Sequence, residues 1–377
     1  MGVIIDYILP MLDRVSQNRL SSTYKELYAA SRKVDQQWPF TRRGLLQAHE
    51  GADDVRSVAF SPDSALLATS GGDDGIISIW NRADGQCTHL EGDGYTVYDL
   101  CFSPDGKLLA SAGEETIIRL WKLDDWSYRG LEGHTSDVMT VAFSRDGTFF
   151  VSGEARGAIR LWHVNDGRCI RVLVDESIDC IQSVTFAPDG DTIASAGYRM
   201  DPETEHFATS AIGAIVLWDI SDANHFSSTT IRDTYDGVVT SLEYSPDGRY
   251  FATGFESGTI RLWNAADKIS AILMTGNGHS VYSVAFSPNG RILASANSDG
   301  SVQLLRVEDG DGSCLVNLSQ HHVGGFMCVA FSPDGLRLAS CGTDGTVCLW
   351  NPHEEDRKQF TQVDWEKVFL LWNFRQE

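Results

Sequence analysis

The sequence predicts an all-β protein, a seven-bladed β-propeller closed by an N-terminal strand and preceded by a short helical segment. Three observations predict it. An aromatic residue followed by a tight turn recurs seven times, as FSPDS from Phe60, FSPDG from Phe102, FSRDG from Phe143, FAPDG from Phe186, YSPDG from Tyr244, FSPNG from Phe286 and FSPDG from Phe331. Nine residues beyond each aromatic stands a small hydroxyl residue: Thr69, Ser111, Ser152, Ser195, Thr253, Ser295 and Ser340. Further along each copy comes Trp80, Trp121, Trp162, Trp218 or Trp263, then Leu305 in the sixth copy and Trp350 in the last. A chain of 377 residues would otherwise suggest several domains, but a repeated unit sets that prior aside.

Each copy reads as strands in a fixed order. The alternating run from Val138 to Phe143 suits a half-buried first strand, a, that ends on the aromatic. In Ser103-Pro104-Asp105-Gly106 the proline presets the first corner and the glycine accepts the positive φ that follows, which makes a tight hairpin into strand b. A second turn, at Asp74-Gly75, Asp299-Gly300 and Asp344-Gly345, leads into strand c, for example Thr346 to Trp350. A fourth strand, d, such as Arg168 to Leu173, runs on to the next copy. One such sheet cannot cover both of its faces, so the copies must stack, and a period of about 42 residues is that of a radial propeller. The seventh blade needs a fourth strand from elsewhere. The segment Phe40 to Gln47, which aligns with Tyr128 to Leu131, is assigned that role, with Lys358 to Val363 as the alternative. Joining first and last segments removes exposed edges.

The period, the FSPDG turn and the tryptophan together resemble the WD-repeat (WD40) family over about residues 40 to 352. The division is accordingly an N-terminal extension over 1–37, the propeller over 38–352 and an apolar tail over 353–377. The resemblance implies that a blade is stapled by a buried network of His, Ser or Thr, Asp and Trp. Blade 7 carries the full set as His322, Ser340, Asp344 and Trp350. Blade 6 has His279, Ser295 and Asp299 but Leu305; blade 3 has His134, Ser152 and Trp162 but Arg156 where Asp is expected. Blade 1 has His49 displaced by two residues, and blades 2, 4 and 5 lack the histidine. Within the family, the segments Tyr235 to Thr240 and Gly278 to Val284 resemble those of fungal Tup-type and Groucho-type transcriptional corepressors.

Outside the ring, residues 22–37 place Tyr24, Leu27, Tyr28, Ser31 and Val34 on one helical stripe, with Thr23 and Glu26 spaced as a capping box. This helix is expected either to pack on the ring or to oligomerise. The stretch from Val363 to Phe374, with Trp365, Phe369 and Trp372, is expected to dock on the propeller, a partner or membrane contact being the alternative.

A formal net charge of -22 and a pI near 4.7 set the chain against binding phosphate backbones and favour a basic partner. The eight cysteines include no C-x-x-C pair and read as free thiols suited to a reducing compartment, the cytoplasm or nucleus. The opening MGVIIDYILPMLDR is broken by Asp6 and Pro10 and does not read as a secretory signal, and no run approaches the roughly 18 apolar residues of a span. No membrane, cofactor or metal partner is expected. His321-His322 is absorbed by the staple, and Asp309 to Gly312 lacks the downstream glutamate of a calcium loop. No Walker loop, H-E-x-x-H, G-x-S-x-G or kinase set occurs, so no enzyme is expected.

What remains is the top surface, which in the family is built from the loops entering strand a and those joining b to c. Four residues before each strand-a aromatic lie Arg56, Tyr98, Met139, Gln182, Thr240, Tyr282 and Met327. Six before lie Asp54, Thr96, Asp137, Cys180, Val238, Ser280 and Gly325, and the b–c turns add Asp73, Glu114, Ala155, Ala211, Glu256, Ser298 and Thr343. The tyrosines and methionines offer adaptable apolar contacts and the carboxylates offer acceptors for Lys or Arg. Blade 4 spends 23 residues between Ser195 and Trp218, and the extra segment Arg199 to Ala211, with Met200 and Phe207, must rise from this face. The chain is therefore expected to be a non-catalytic scaffold or adaptor holding a protein or peptide, of corepressor-like function. The alternative is a structural or substrate-receptor subunit of a ubiquitin ligase, trafficking or RNA-processing complex.

Overall fold

Every copy of the repeat folds into a four-stranded antiparallel sheet, and seven such sheets stand among the described residues. The computed structural model describes residues 46–47, 54–72, 75–92, 94–200, 211–222, 225–233, 236–307, 314–318 and 325–350. Blade 2 shows the plan, with strand a at Val97–Phe102, b at Leu108–Gly113, c at Ile118–Lys122 and d at Tyr128–Leu131. The other a strands are Val55–Phe60, Val138–Phe143, Cys180–Phe186, Val239–Tyr244, Val281–Phe286 and Phe326–Phe331. Each lies beside the next, and the last lies beside the first. Blade 7 takes its d strand from the N-terminal side, with Leu46 in register with Val347 and Gln47 with Thr346. The remainder of the assigned closing segment, the alternative at Lys358 to Val363, the helix over 22–37 and the tail over 353–377 lie outside the described residues.

The a–b turns form as their chemistry requires. The Ser103 hydroxyl donates to Asp105 Oδ1 at 2.7 Å and accepts the Leu108 N–H at 2.9 Å, while Gly106 takes φ +68°. Blade 1 has Ser64 at the glycine position, held at φ +59°. That conformation is unfavourable for a residue with a Cβ. Its hydroxyl accepts the Asp334 N–H at 3.1 Å, and Arg82 pairs with Asp334 at 3.0 Å, so the strained turn serves the seam where blade 7 meets blade 1.

Packing follows from the flatness of the blades. Seven apolar clusters fill the gaps between neighbours, each drawn from two blades. Between blades 1 and 2, for example, Ala68, Ile77, Ile79 and Leu90 meet Val97, Leu100, Phe102 and Leu109. At about 1.5–3 kcal/mol for each large aliphatic or aromatic side chain, these seams outweigh any single polar contact.

A polar belt runs through the same seams. The side chain three residues before each strand-a aromatic accepts a backbone N–H from the next blade: Ser57 from Leu100, Asp99 from Val141, Thr140 from Val184, Ser183 from Leu242, Ser241 from Val284 and Ser283 from Val329, all within 2.9–3.3 Å. Cys328 completes the circuit by directing its thiol to the Val58 carbonyl at 3.9 Å. Asp99 also accepts from Leu100 N–H and Ser57 Oγ, and burial pushes its pKa up to about 6, with the bonds it accepts opposing. Glu243 makes a second link by accepting the Phe286 N–H at 2.6 Å, and burial pushes it up to about 8.

Within the blades, the indole N–H of Trp80, Trp121, Trp162, Trp218, Trp263 and Trp350 donates to the expected hydroxyl at 2.8–3.3 Å. Blade 6, with Leu305, gives Ser295 a substitute donor in Asn297 Nδ2 at 3.4 Å, and His279 is exposed rather than part of a staple. In blade 7 the Ser340–Trp350 bond is present, Asp344 accepts from the Thr346 N–H and hydroxyl, and His322 lies outside the described residues.

Blade 3 departs from the expectation that Arg156 leaves it without its acid. Glu154 supplies the carboxylate: His134 Nδ1 lies 2.7 Å from Glu154 Oε2 and His134 Nε2 lies 2.6 Å from Ser152 Oγ. The donors fall into one line, Trp162 N–H to Ser152, Ser152 O–H to Nε2, and Nδ1–H to Glu154, which fixes a neutral imidazole and its tautomer. Burial lowers the His134 pKa, with Glu154 opposing. Burial also works against the Glu154 carboxylate, yet the Thr135 N–H, His134 and the Thr135 hydroxyl together bring it below its ordinary value.

Two outcomes test this account. Ser152→Ala removes an acceptor and a donor from a buried line and should cost about 1–3 kcal/mol in urea unfolding, clearly more than Ser295→Ala, since the Asn297 amide also donates to the Ser301 carbonyl and hydroxyl. For His134, the unfolded chain takes up its proton first as pH falls below the ordinary 6.5. The stabilisation is therefore full above that pH and declines below it. Thermal melting across pH 7.5 to 5.5 should fall less steeply in His134→Gln than in the parent chain.

Candidate functional site

The d–a and b–c connections meet at one end of the ring, stitched by backbone bonds. The N–H groups of Glu114, Ala155, Glu256, Ser298 and Thr343 donate to the carbonyls of Thr96, Asp137, Val238, Ser280 and Gly325 at 2.8–3.0 Å. Two of the predicted rows are thus neighbours around the same rim. In blade 1 the bonded residue is Gly72, and Asp73 lies outside the described residues.

In blade 4 the corresponding residue is Tyr198, not Ala211. Strands b and c are extended to Thr192–Met200 and Ala211–Asp219, so Ala211 pairs with Met200 across a raised hairpin. The Met200 N–H donates to Asp179 Oδ2 at 2.8 Å, which anchors the rising strand; Phe207 and the rest of residues 201–210 lie outside the described residues. Counting forward from Ser195 rather than back from Trp218 reaches Tyr198, three residues on, as Glu114 is three beyond Ser111.

Blades 1 to 3 bring five of the predicted residues together. Arg56 pairs with Asp54 at 2.8 Å and lies 5.4 Å over the Tyr98 ring, and the Tyr98 hydroxyl donates to Glu114 Oε1 at 3.3 Å. Burial first, then the charges of Glu114 and Asp137, push the Tyr98 pKa up to about 12, with Arg56 opposing. Tyr98 therefore stays a neutral donor among carboxylates. Glu114 is exposed, while Asp54, Arg56, Tyr98 and Asp137 are half-buried.

A second group forms on blades 4 and 5 around Tyr198. Burial raises its pKa to about 12, aided by Cys180 and by the charges of Glu256 and Asp179. Gln182 is held in place by its amide, which donates to Cys180 Sγ at 3.3 Å, and Glu256 is exposed. Tyr198 and Asp179 extend the sequence-predicted set.

The remaining predicted residues divide. Thr240 is taken up by the ring, donating to the carbonyls of Gly254 and Val281 and so joining blade 5 to blade 6. Met327 packs partly against the blade 7–blade 1 core, and Met139 is half-buried. Tyr282 stands out at 41% exposed. Among the described residues, no group of three or more His, Cys, Asp or Glu side chains is placed to hold a metal ion, and no helix is long and apolar enough to cross a membrane.

Comparison with known proteins agrees with this architecture. The family model for the WD domain, G-beta repeat, matches residues 40–81, 85–122, 126–163, 227–264, 270–304 and 312–351. The long unmatched interval, residues 164–226, holds the first three strands of blade 4, whose raised hairpin lengthens the spacing and whose turn has Ala187 where other blades have serine. Apoptotic protease-activating factor 1 of Homo sapiens is 52% identical over 73 residues, 17% of this chain and 6% of that protein. Small ribosomal subunit protein RACK1 of Medicago sativa is 43% identical over 63 residues, 17% of this chain and 18% of that protein. Eukaryotic translation initiation factor 3 subunit I of Candida albicans is 38% identical over 68 residues, 18% of this chain and 19% of that protein. The alignments thus span less than a fifth of these curated relatives. With more than half of its length matched and all seven blades formed, the chain belongs to the WD40 family, the WD domain, G-beta repeat proteins.

Proposed function

We propose that this chain is a non-catalytic scaffold whose top face captures a basic peptide or domain. WD40 propellers as a class hold proteins or peptides. The observation that carries the finer reading is the pair of acidic, tyrosine-bearing groups, Asp54, Tyr98, Glu114 and Asp137 on one side and Asp179, Tyr198 and Glu256 on the other. Each neutral phenol can donate and stack, and the exposed carboxylates accept from Lys or Arg. Arg56, already paired with Asp54, marks where a cation of the partner would compete. The strongly negative whole-chain charge favours encounter with such a partner.

A corepressor-like regulator in the nucleus or cytoplasm is one setting for this activity. A second reading, a subunit of a larger assembly, draws support from relatives named as a ribosomal subunit protein and an initiation factor subunit. The two separate by stoichiometry: a regulator exchanges its partner, whereas a subunit co-purifies in fixed ratio.

Replacing Asp137 and Glu256 by Lys should weaken capture of a Lys/Arg-rich peptide at least tenfold, about 1.4 kcal/mol, and flatten its salt dependence. Fluorescence anisotropy against salt reads both. Thr240→Ala is the contrasting control, since it should lower the melting temperature while leaving peptide affinity within about twofold. Undiminished capture by the double variant would remove the basic-partner reading.

A further inference from the structure

The belt has one member unlike the rest. At the position three residues before the strand-a aromatic, six blades carry Ser, Thr or Asp, and blade 7 carries Cys328. The residue facing this position across the a–b ladder is small and has no sulfur in those six blades. Asp99 faces Ala112, Thr140 faces Gly153 and Ser183 faces Ala196, and blades 5 and 6 follow the same rule with Gly254 and Ala296. In blade 1 the equivalent residues are Ser57 and Ser70, joined by the Ser57 N–H to the Ser70 hydroxyl at 3.0 Å. Blade 7 sets Cys328 opposite Cys341. Neither position needs sulfur for packing, since six blades form without it, yet blade 7 has changed both together.

Facing residues on antiparallel strands stand about 4.5–5.5 Å apart at Cα, within the span that a disulfide bridges. Both side chains belong to the same seam: Cys341 is buried in the core shared with blade 1, and Cys328 packs partly against it. The two thiols are already in contact, with Cys341 donating to the Cys328 sulfur. The Ser283 hydroxyl of blade 6 donates to that sulfur at 3.9 Å, and Cys328 directs its own hydrogen to the Val58 carbonyl. Cys328 is half-buried on the innermost strand, where the channel admits a small molecule, while Cys341 is sealed at 0% exposed. The Cys341 thiol holds the Cys328 pKa below the ordinary thiol value, against burial. Burial first, then Cys328, pushes Cys341 well up. A reachable, readily ionised sulfur thus stands against a buried one that keeps its proton, as an attacking thiol stands against a resolving one.

We propose that Cys328 and Cys341 form a dithiol modification site, oxidised by small hydroperoxides to an intrachain disulfide and restored by exchange with a dithiol that is itself oxidised. The Cys328 thiolate attacks one peroxide oxygen and the O–O bond breaks. Hydroxide leaves and takes up a proton as water, and Cys328 is left as the sulfenic acid. The Cys341 sulfur then attacks the Cys328 sulfur. The S–S bond forms, the S–O bond breaks, and the departing hydroxide takes the Cys341 proton as a second water. Two thiols lose two electrons and one peroxide gains them. The bridge also removes the hydrogen that Cys328 directs to Val58, so oxidation deletes the belt link between blades 7 and 1. The site is separate from the top face.

The test treats the reduced full chain, freed of reductant, with hydrogen peroxide, then denatures, alkylates and cleaves it with trypsin. Cleavage after Arg337 parts the two cysteines. The expected product is a pair of peptides joined through Cys328 and Cys341, two hydrogen masses below their sum and separated by dithiothreitol. Its formation should outpace loss of the buried Cys348 thiol at least about tenfold. Cys341→Ala should abolish the bridge, and the sulfenic acid left on Cys328 is then trapped by dimedone. Cys328→Ser should leave Cys341 fully available to alkylation after the same treatment. Both variants copy residues that other blades hold at these positions, and an unchanged circular dichroism spectrum would show them folded. Thiols that survive peroxide, a bridge from Cys328 to a different cysteine, or a Cys341 oxidised as fast without Cys328 would each overturn the proposal.

Discussion

A sheet exposed on both faces has no stable existence in water, and that constraint governs everything in this molecule. Each blade can cover one face only by lying against the next blade, so the problem is passed round the chain until the seventh sheet must meet the first. The seams are where the free energy lies: seven apolar clusters shared between neighbours. The closure is placed accordingly. Leu46 and Gln47 cross to Thr346 and Val347, and the Ser64 turn accepts its backbone strain in order to hold Asp334.

Apolar packing is non-directional and would tolerate some slippage of one blade past another. The belt of seam hydrogen bonds sets the height. Every linking side chain sits three residues before the strand-a aromatic and reaches the same backbone position of the following blade. A one-residue slip would leave each N–H buried and unpaired, at about 1–3 kcal/mol apiece. The belt therefore adds little to adhesion and much to register. Asp99 at one of these positions, and Glu243, which adds a second link in the blade 5–blade 6 seam, are costly members, because burial pushes both carboxyls toward protonation while the N–H bonds they accept oppose it.

The fold was legible because it repeats. Turn, hydroxyl and tryptophan recur at fixed spacing, and six indoles bond where that spacing predicts. What escaped were substitutions in which a different residue reaches the same point in space. Glu154 stands two residues from the expected acid in sequence, yet its longer side chain reaches His134. Asn297 takes the place of a missing indole, and His279, though it matches the motif, points to solvent. At the candidate site the rows of positions were readable from the repeat, whereas the clustering of Arg56, Tyr98 and Glu114 was not. Arg56 lies on blade 1 and Tyr98 and Glu114 on blade 2, and the packing of one blade against the next brings the guanidinium over the ring.

The repeat also separates structural from functional demands without reference to any other protein. Positions that every blade uses for seams and turns vary little from copy to copy: six of the seven belt positions are Ser, Thr or Asp, and six of seven turns begin with serine. The position four before the aromatic holds Arg, Tyr, Met, Gln, Thr, Tyr and Met, seven residues with no common chemistry. A scaffold under the same packing constraint at every blade has no structural reason to diversify there. Thr240 shows the exception that sharpens the rule, since its hydroxyl is spent on bonding two blades together. On the proposed reading of the top face, the variation that remains is what would let a single partner be distinguished from others. A seven-fold structure becomes specific by the positions it leaves free.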